Sequence, residues 1–208
     1  GTIFYKLKIS VTNFILKALV KRMLGRAISR AWLNFLSVPV CAFWNGMVCW
    51  LAIREVKIRV LGPSAVHEIM KQTLPLLETM SQTARLSILR AIGSSIVRTA
   101  NLHPNLEYLF RSFLKNIDVP KEAIIDEPVL FLEDLEKIPD VEKEIVLRIL
   151  VFSSIIDGKV TYREKKLLKA AFELCKVPLH YQTINNLRKS FRRGELLKIG
   201  RASCRERV

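Results

Sequence analysis

The sequence predicts an all-α protein, in which a membrane-associated apolar segment is followed by a helical bundle of two related helical hairpins. Three observations lead there. Residues 31–53 contain no charged side chain. From residue 61 to residue 198 the apolar residues recur at the three-to-four spacing of amphipathic helices. No stretch alternates with period two for long enough to argue a strand. Half of the 208 residues are apolar and only 8 are Gly and 8 Pro, which excludes a low-complexity or disordered chain.

Charge and apolar spacing divide the chain into four parts. Residues 1–30 read as a basic amphipathic helix, with Phe14, Leu16, Leu19, Val20, Met23, Leu24, Ala27 and Ile28 near a 3.6 period. Lysines and arginines hold much of its other face, which suits a helix lying along lipid headgroups or the end of an upstream domain. The first residue is Gly1 rather than Met, and we expect further chain before it.

Residues 31–60 are the membrane segment and its basic flank. The 23 residues between Arg30 and Arg54 exceed the roughly 20 that a helix needs to cross the hydrocarbon core. All three tryptophans, Trp32, Trp44 and Trp50, fall inside, two of them near the ends where interfacial indoles belong. Asn34, Asn45, Pro39 and the Asn45-Gly46 turn signal leave three placements open: a straight span, a re-entrant hairpin, and a buried hairpin in a larger soluble domain. Membrane lipid is the expected partner. Residues 1–60 carry ten Lys and Arg against Glu55 alone, so the basic excess surrounds the apolar segment. That placement favours anionic lipid over nucleic acid, and no nucleic-acid-binding signature competes.

Residues 61–198 read as the bundle. Gly62-Pro63-Ser64 signals a helix end and a new start, and helices are expected at about 64–80, 83–99, 104–117, 129–138, 141–156, 162–175 and 178–190. The helix at 141–156 is apolar on nearly every face, so it should be central, with Asp140 as its N-cap. Ile88-Leu89-Arg90, Ser94-Ser95-Ile96-Val97 and Val119-Pro120 recur as Val146-Leu147-Arg148, Ser153-Ser154-Ile155-Ile156 and Val177-Pro178. The offsets of 58, 59 and 58 fit either a repeated hairpin or chance likeness among amphipathic helices. Residues 118–144 hold ten acids against Lys121, Lys137 and Lys143, while 159–193 is basic; either stretch is suited to a protein partner.

Residues 199–208, IGRASCRERV, resemble a translated sequencing adapter (ATC GGA AGA GCG TCG TGT AGG GAA AGA GTG in frame) and are read as a non-native tail. They hold three Arg and one Glu, so the formal net charge of +15 becomes +13 without them. Cys204 goes with them. Cys41, Cys49 and Cys175 have no disulfide or zinc spacing and read as small buried hydrophobes.

The most informative local motif is Ser153-Ser154-Ile155-Ile156-Asp157-Gly158-Lys159-Val160-Thr161-Tyr162-Arg163-Glu164-Lys165-Lys166-Leu167-Leu168. Here Gly158 suits a positive-φ helix end, and Thr161-x-x-Glu164 is a capping box. The stretch resembles the tellurite-resistance TerB-like domain family, in which a helix ends in Asp-Gly and a Glu opens the next helix before a Leu-rich run. The likeness covers about 141–197; in the first hairpin Arg98-Thr99 stands where Asp-Gly would be, so the carboxylate is lost there. It implies an all-helical fold in a bacterial membrane protein, a membrane-linked stress-response role, and metal binding by Asp157 and Glu164. The residues themselves leave both readings open, since two carboxylates fall short of the six to eight oxygens of a Ca²⁺ site.

No other constellation asks for catalysis. His67, His103 and His180 are far apart, and no HExxH, phosphate-binding or nucleophile-elbow motif is present. We expect no cofactor, no small-molecule substrate and no enzyme, but a membrane-anchored module for stress response or scaffolding that senses a divalent metal. The alternatives are a pure protein-interaction module without metal and the non-catalytic remnant of a larger membrane enzyme. The expected location is the bacterial inner membrane with the bundle on the cytoplasmic side, where free thiols persist.

Overall fold

A computed structural model describes residues 12–18, 20, 29–99, 102–120 and 122–195. The chain divides into two compact units, Gly1–Arg54 and Glu55–Val208. Residues 12–18 are helical with exposed side chains. Much of the remaining basic helix, and the tail at 199–208, lie outside the described residues.

The first long helix, α1 (Ser29–Thr79), runs 51 residues through every break signal within it. Pro39, Asn45-Gly46, Gly62-Pro63 and Pro75 are all helical. This removes the hairpin placements and corrects one expectation: the chain does not bend at Pro39 or Asn45, and no boundary falls at Gly62. An interior proline removes one amide from the ladder and costs about 3 kcal/mol, which flanking turns of a long helix can absorb. Gly62 has another purpose. A Cβ there would lie 2.1 Å from Cγ of Asn105, so the glycine admits a side chain from another helix rather than ending its own.

Within the first unit, α1 exposes Val38, Val40, Phe43, Trp50, Leu51 and Ile53. The Arg54 guanidinium lies 5.7 Å from the centre of the Trp50 ring, pairing an interfacial aromatic with a flanking base. Among the described residues, α1 supplies the one helix long and apolar enough, by length and composition, to cross a membrane.

The second unit is a bundle. Its part of α1 buries Ile58, Val66, Ile69, Met70 and Leu77. There follow α2 (Gln82–Thr99), α3 (Pro104–Leu114), α4 (Pro128–Lys137), α5 (Asp140–Ile155), α6 (Tyr162–Leu174) and α7 (Tyr181–Arg193). As expected, α5 is deeply buried, through Val146, Leu147, Ile149, Leu150, Val151 and Phe152. It shares the centre with α2, which packs against α3, α4, α5 and α6. The two central helices meet through small side chains: Ser95 Oγ and Ser153 Oγ are 2.8 Å apart, and Ser153 and Ser154 each donate to Leu150 O. Serine is tolerated there because each of these hydroxyls has a partner.

Polar ties fix the order of the helices. Glu142, in the first turn of α5, accepts the Ser81 amide and hydroxyl at 2.7 Å each, capping the start of α2 from a distant segment. Arg90 of α2 pairs with Asp134 of α4 and donates through Nε to Ile124 O at 2.9 Å. Part of the acidic connector is thereby engaged within the molecule.

Two helix starts differ from expectation. Pro139, not Asp140, is the N-cap of α5; Asp140 is its first residue and pairs with Lys143 at 3.0 Å. Helix α7 begins at Tyr181 rather than 178. Proline occupies the first turn of α3 and α4, but Lys176 is left-handed (φ 55°) after α6, and the chain needs residues 177–180 to turn back.

Candidate functional site

The Asp-Gly motif forms the turn between α5 and α6. Gly158 has φ 76°, and a Cβ there would lie 2.5 Å from Cδ1 of Ile58, so both conformation and space demand glycine. The Lys159 amide donates to Asp157 Oδ1 at 2.8 Å, closing a local Asx turn. Thr161 then caps α6. Its Oγ1 accepts from the Glu164 amide at 3.2 Å, while its own amide and hydroxyl donate to Glu164 Oε2 at 2.8 and 2.9 Å. The expected capping box is present in full.

What the capping box does not explain is the depth of Glu164. The residue is fully buried, and its other oxygen, Oε1, has no hydrogen-bond partner. Burial pushes its carboxyl up to about 7, against the Thr161 hydrogen bonds, and the neighbouring Asp157 charge adds to the rise. Burial also raises Asp157, despite the Lys159 amide hydrogen bond and the Lys159 charge. The turn therefore holds two carboxyls that the protein environment biases towards protonation.

Three residues not singled out for this turn complete its surroundings. His103 caps α3 with its ring: Nδ1 accepts from the Asn105 amide at 3.2 Å, which places the ring hydrogen on Nε2, 3.2 Å from Glu55 Oε1. Asn105 Nδ2 donates to Ile58 O on α1 and Ile156 O at the end of α5, both at 2.9 Å. One side chain thus ties together α1, α3 and the start of the Asp-Gly turn. The sequence carries a partial signal, a polar residue before Pro104, but the partners lie 47 to 51 residues away.

Asp157 Oδ1 and Glu164 Oε2 already accept hydrogen bonds, and among the described residues no group of three or more His, Cys, Asp or Glu is arranged to hold a metal ion. His67 and His180 are exposed and stand apart from His103 in the sequence. Burial raises the Cys175 thiol to about 11, which leaves it protonated and poorly nucleophilic. Cys41 and Cys49 are exposed on α1, not buried as the sequence suggested, because their helix face has no protein cover. A cleft lined by Leu61, Ser64, Ala65, Phe191 and Gly194 encloses about 40 Å³, far below the size of a substrate pocket.

The chain matches no family model, no curated protein and no solved structure with which it was compared.

Proposed function

We propose that this chain is a membrane-anchored, non-catalytic helical module that scaffolds other components, with a TerB-like bundle on the cytoplasmic side of a bacterial inner membrane. One observation carries the reading. The uncharged stretch of α1 exposes Val38, Val40, Phe43, Trp50, Leu51 and Ile53, large apolar side chains better suited to lipid than to water. The basic flanks suit anionic headgroups, and the Asp-Gly-to-Glu motif supports the TerB-like assignment. Two related hairpins, α2–α3 and α5–α6, are the arrangement that the sequence repeat suggests.

Alkaline carbonate extraction of the full chain tests the anchor. The protein is expected to stay in the membrane pellet. Phe43→Arg together with Met47→Arg should move it to the soluble fraction, since each central arginine costs about 2.5–3.5 kcal/mol of insertion. Release of the unaltered chain by carbonate would defeat the reading.

A divalent cation at Asp157 and Glu164 is a second reading, favoured by the unpartnered Glu164 Oε1. It predicts a thermal shift with Ca²⁺, Mg²⁺, Mn²⁺ or Zn²⁺ that Asp157→Asn abolishes while the metal-free fold persists. No shift with any of the four ions disposes of it.

A further inference from the structure

We infer that the end of the bundle holding the Asp-Gly turn docks on anionic lipid headgroups through the exposed bases Arg98, Lys159 and Arg163. Chain direction defines that end. Ser81 meets Glu142 where α2 and α5 begin, and Ser95 meets Ser153 late in both, so the two central helices run parallel. Their last turns therefore lie together, with the start of α6 joined to α5 by a short turn. Asn105 ties the start of α3 to Ile58 and Ile156 at the same level. One end thus gathers residues 55–59, 97–99, 102–105 and 157–163.

The charge exposed there is one-sided. Lys57, Arg98, Lys159 and Arg163 are exposed and, among the described residues, form no ion pair. The carboxylates of this end are few and engaged. Glu55 binds Arg59 and His103 at 3.0 and 3.2 Å, and Asp157 accepts the Lys159 amide at 2.8 Å. Glu107, one turn into α3, is offset by Arg111, and Glu164 is fully buried. With Arg59 included, five bases stand against Glu55 and Asp157. Further acids are set back from the surface: Asp126 and Glu127 follow Ile125, which abuts Gly93 about 9 Å before the end of α2. The opposite end shows no basic excess. There Asp140 pairs with Lys143, while Glu78, Asp118 and Glu142 offset Arg85, Lys115 and Lys176.

Chain connectivity and side-chain chemistry select lipid as the occupant. Glu55 is separated from the uncharged segment at 31–53 by Arg54 alone, so an anchored chain carries this end to the headgroup layer. Val97, Leu102 and Tyr162, 45%, 56% and 72% exposed, lie among the bases. Bases interleaved with apolar and aromatic tips suit that layer, with the charges at the phosphates and the tips below them. A nucleic acid or an acidic protein would have to displace lipid to reach the same residues.

This contact rests on the anchor reading, and separate measurements judge the two. Hydrogen exchange of the full chain is read in nanodiscs of neutral phosphatidylcholine and in discs with about 30% phosphatidylglycerol. Amides at 97–103 and 157–163 are expected to exchange roughly fivefold or more slowly in the anionic discs, since each base near such a surface contributes about that factor. The difference should largely vanish between about 50 mM and about 500 mM salt. The readout is local, so binding by residues 1–30 does not register. Arg98→Glu with Lys159→Glu and Arg163→Glu should abolish the protection, whereas Lys115→Glu with Lys176→Glu should leave it. Arg98→Lys with Lys159→Arg and Arg163→Lys should retain it. Helical circular dichroism confirms that each variant folds, and carbonate extraction should keep all of them in the pellet.

Equal exchange in neutral and anionic discs, by a chain that resists carbonate, would overturn the contact and leave the anchor standing. Protection that survives the triple reversal would also overturn it, as would loss of protection on the charge-conserving swaps. So would protection that arises only when RNA or polyglutamate is added to neutral discs.

Discussion

Asn105→Ala is expected to lower the stability of the bundle by about 2–4 kcal/mol, read as a shift in urea or thermal unfolding. The side chain is buried and its amide serves Ile58 O and Ile156 O at once. Truncation leaves the carbonyl at the end of α5 without that donor and opens space against the backbone of α1. The same geometry predicts strong coupling to Gly62. Gly62→Ala alone drives a methyl into the Asn105 side chain, whose Cγ lies 2.1 Å from the new atom, and should be about as harmful. In the Asn105→Ala background that space is empty, so the second substitution should cost little. A double-mutant cycle in which the two losses simply add would show that Asn105 does not pack as described.

Stability should also rise as the pH is lowered from about 8 towards 5, contrary to the acid sensitivity of proteins held by surface ion pairs. The sign follows from Glu164. Its carboxyl titrates near 7 in the folded chain, above the ordinary value of 4.5, so the folded state binds the proton more tightly. The contribution is complete below about pH 4.5 and is lost as the pH rises through the window up to about 7. Asp157 is raised as well and acts in the same direction. The span in pKa corresponds to about 3 kcal/mol for Glu164. Glu164→Gln retains an oxygen for the Thr161 amide and stays neutral throughout, so its stability should vary far less between pH 5 and 8. Equal pH slopes for the two proteins would refute the assignment. Denaturant unfolding at closely spaced pH values makes the comparison.

Local patterns were legible where the structure depends on neighbours in sequence. The capping box of Thr161 and Glu164 is a contact over three residues, and the glycine at 158 answers a turn that the preceding Asp announces. The depth of Glu164 was not legible. Whether a capping glutamate faces solvent or the interior depends on what packs over the helix start, and here Ile58 reaches Gly158 in the adjoining turn from a helix a hundred residues earlier. Gly62 and Pro63 misled for the same reason. As a local signal they end a helix, but the tertiary contact with Asn105 uses the glycine inside one.

The sequence by itself determined the helical class, the uncharged segment at 31–53, the burial of α5 and the capped turn at 157–164, because all four are set by composition or by contacts within about two helical turns. Tertiary structure alone decided that α1 runs unbroken, that α2 shares the centre with α5, that Glu142 caps Ser81, and that Glu55, His103 and Asn105 gather beside the Asp-Gly turn. Those outcomes depend on which distant side chain fills a given space or supplies a missing hydrogen bond. That information exists only once the helices have packed.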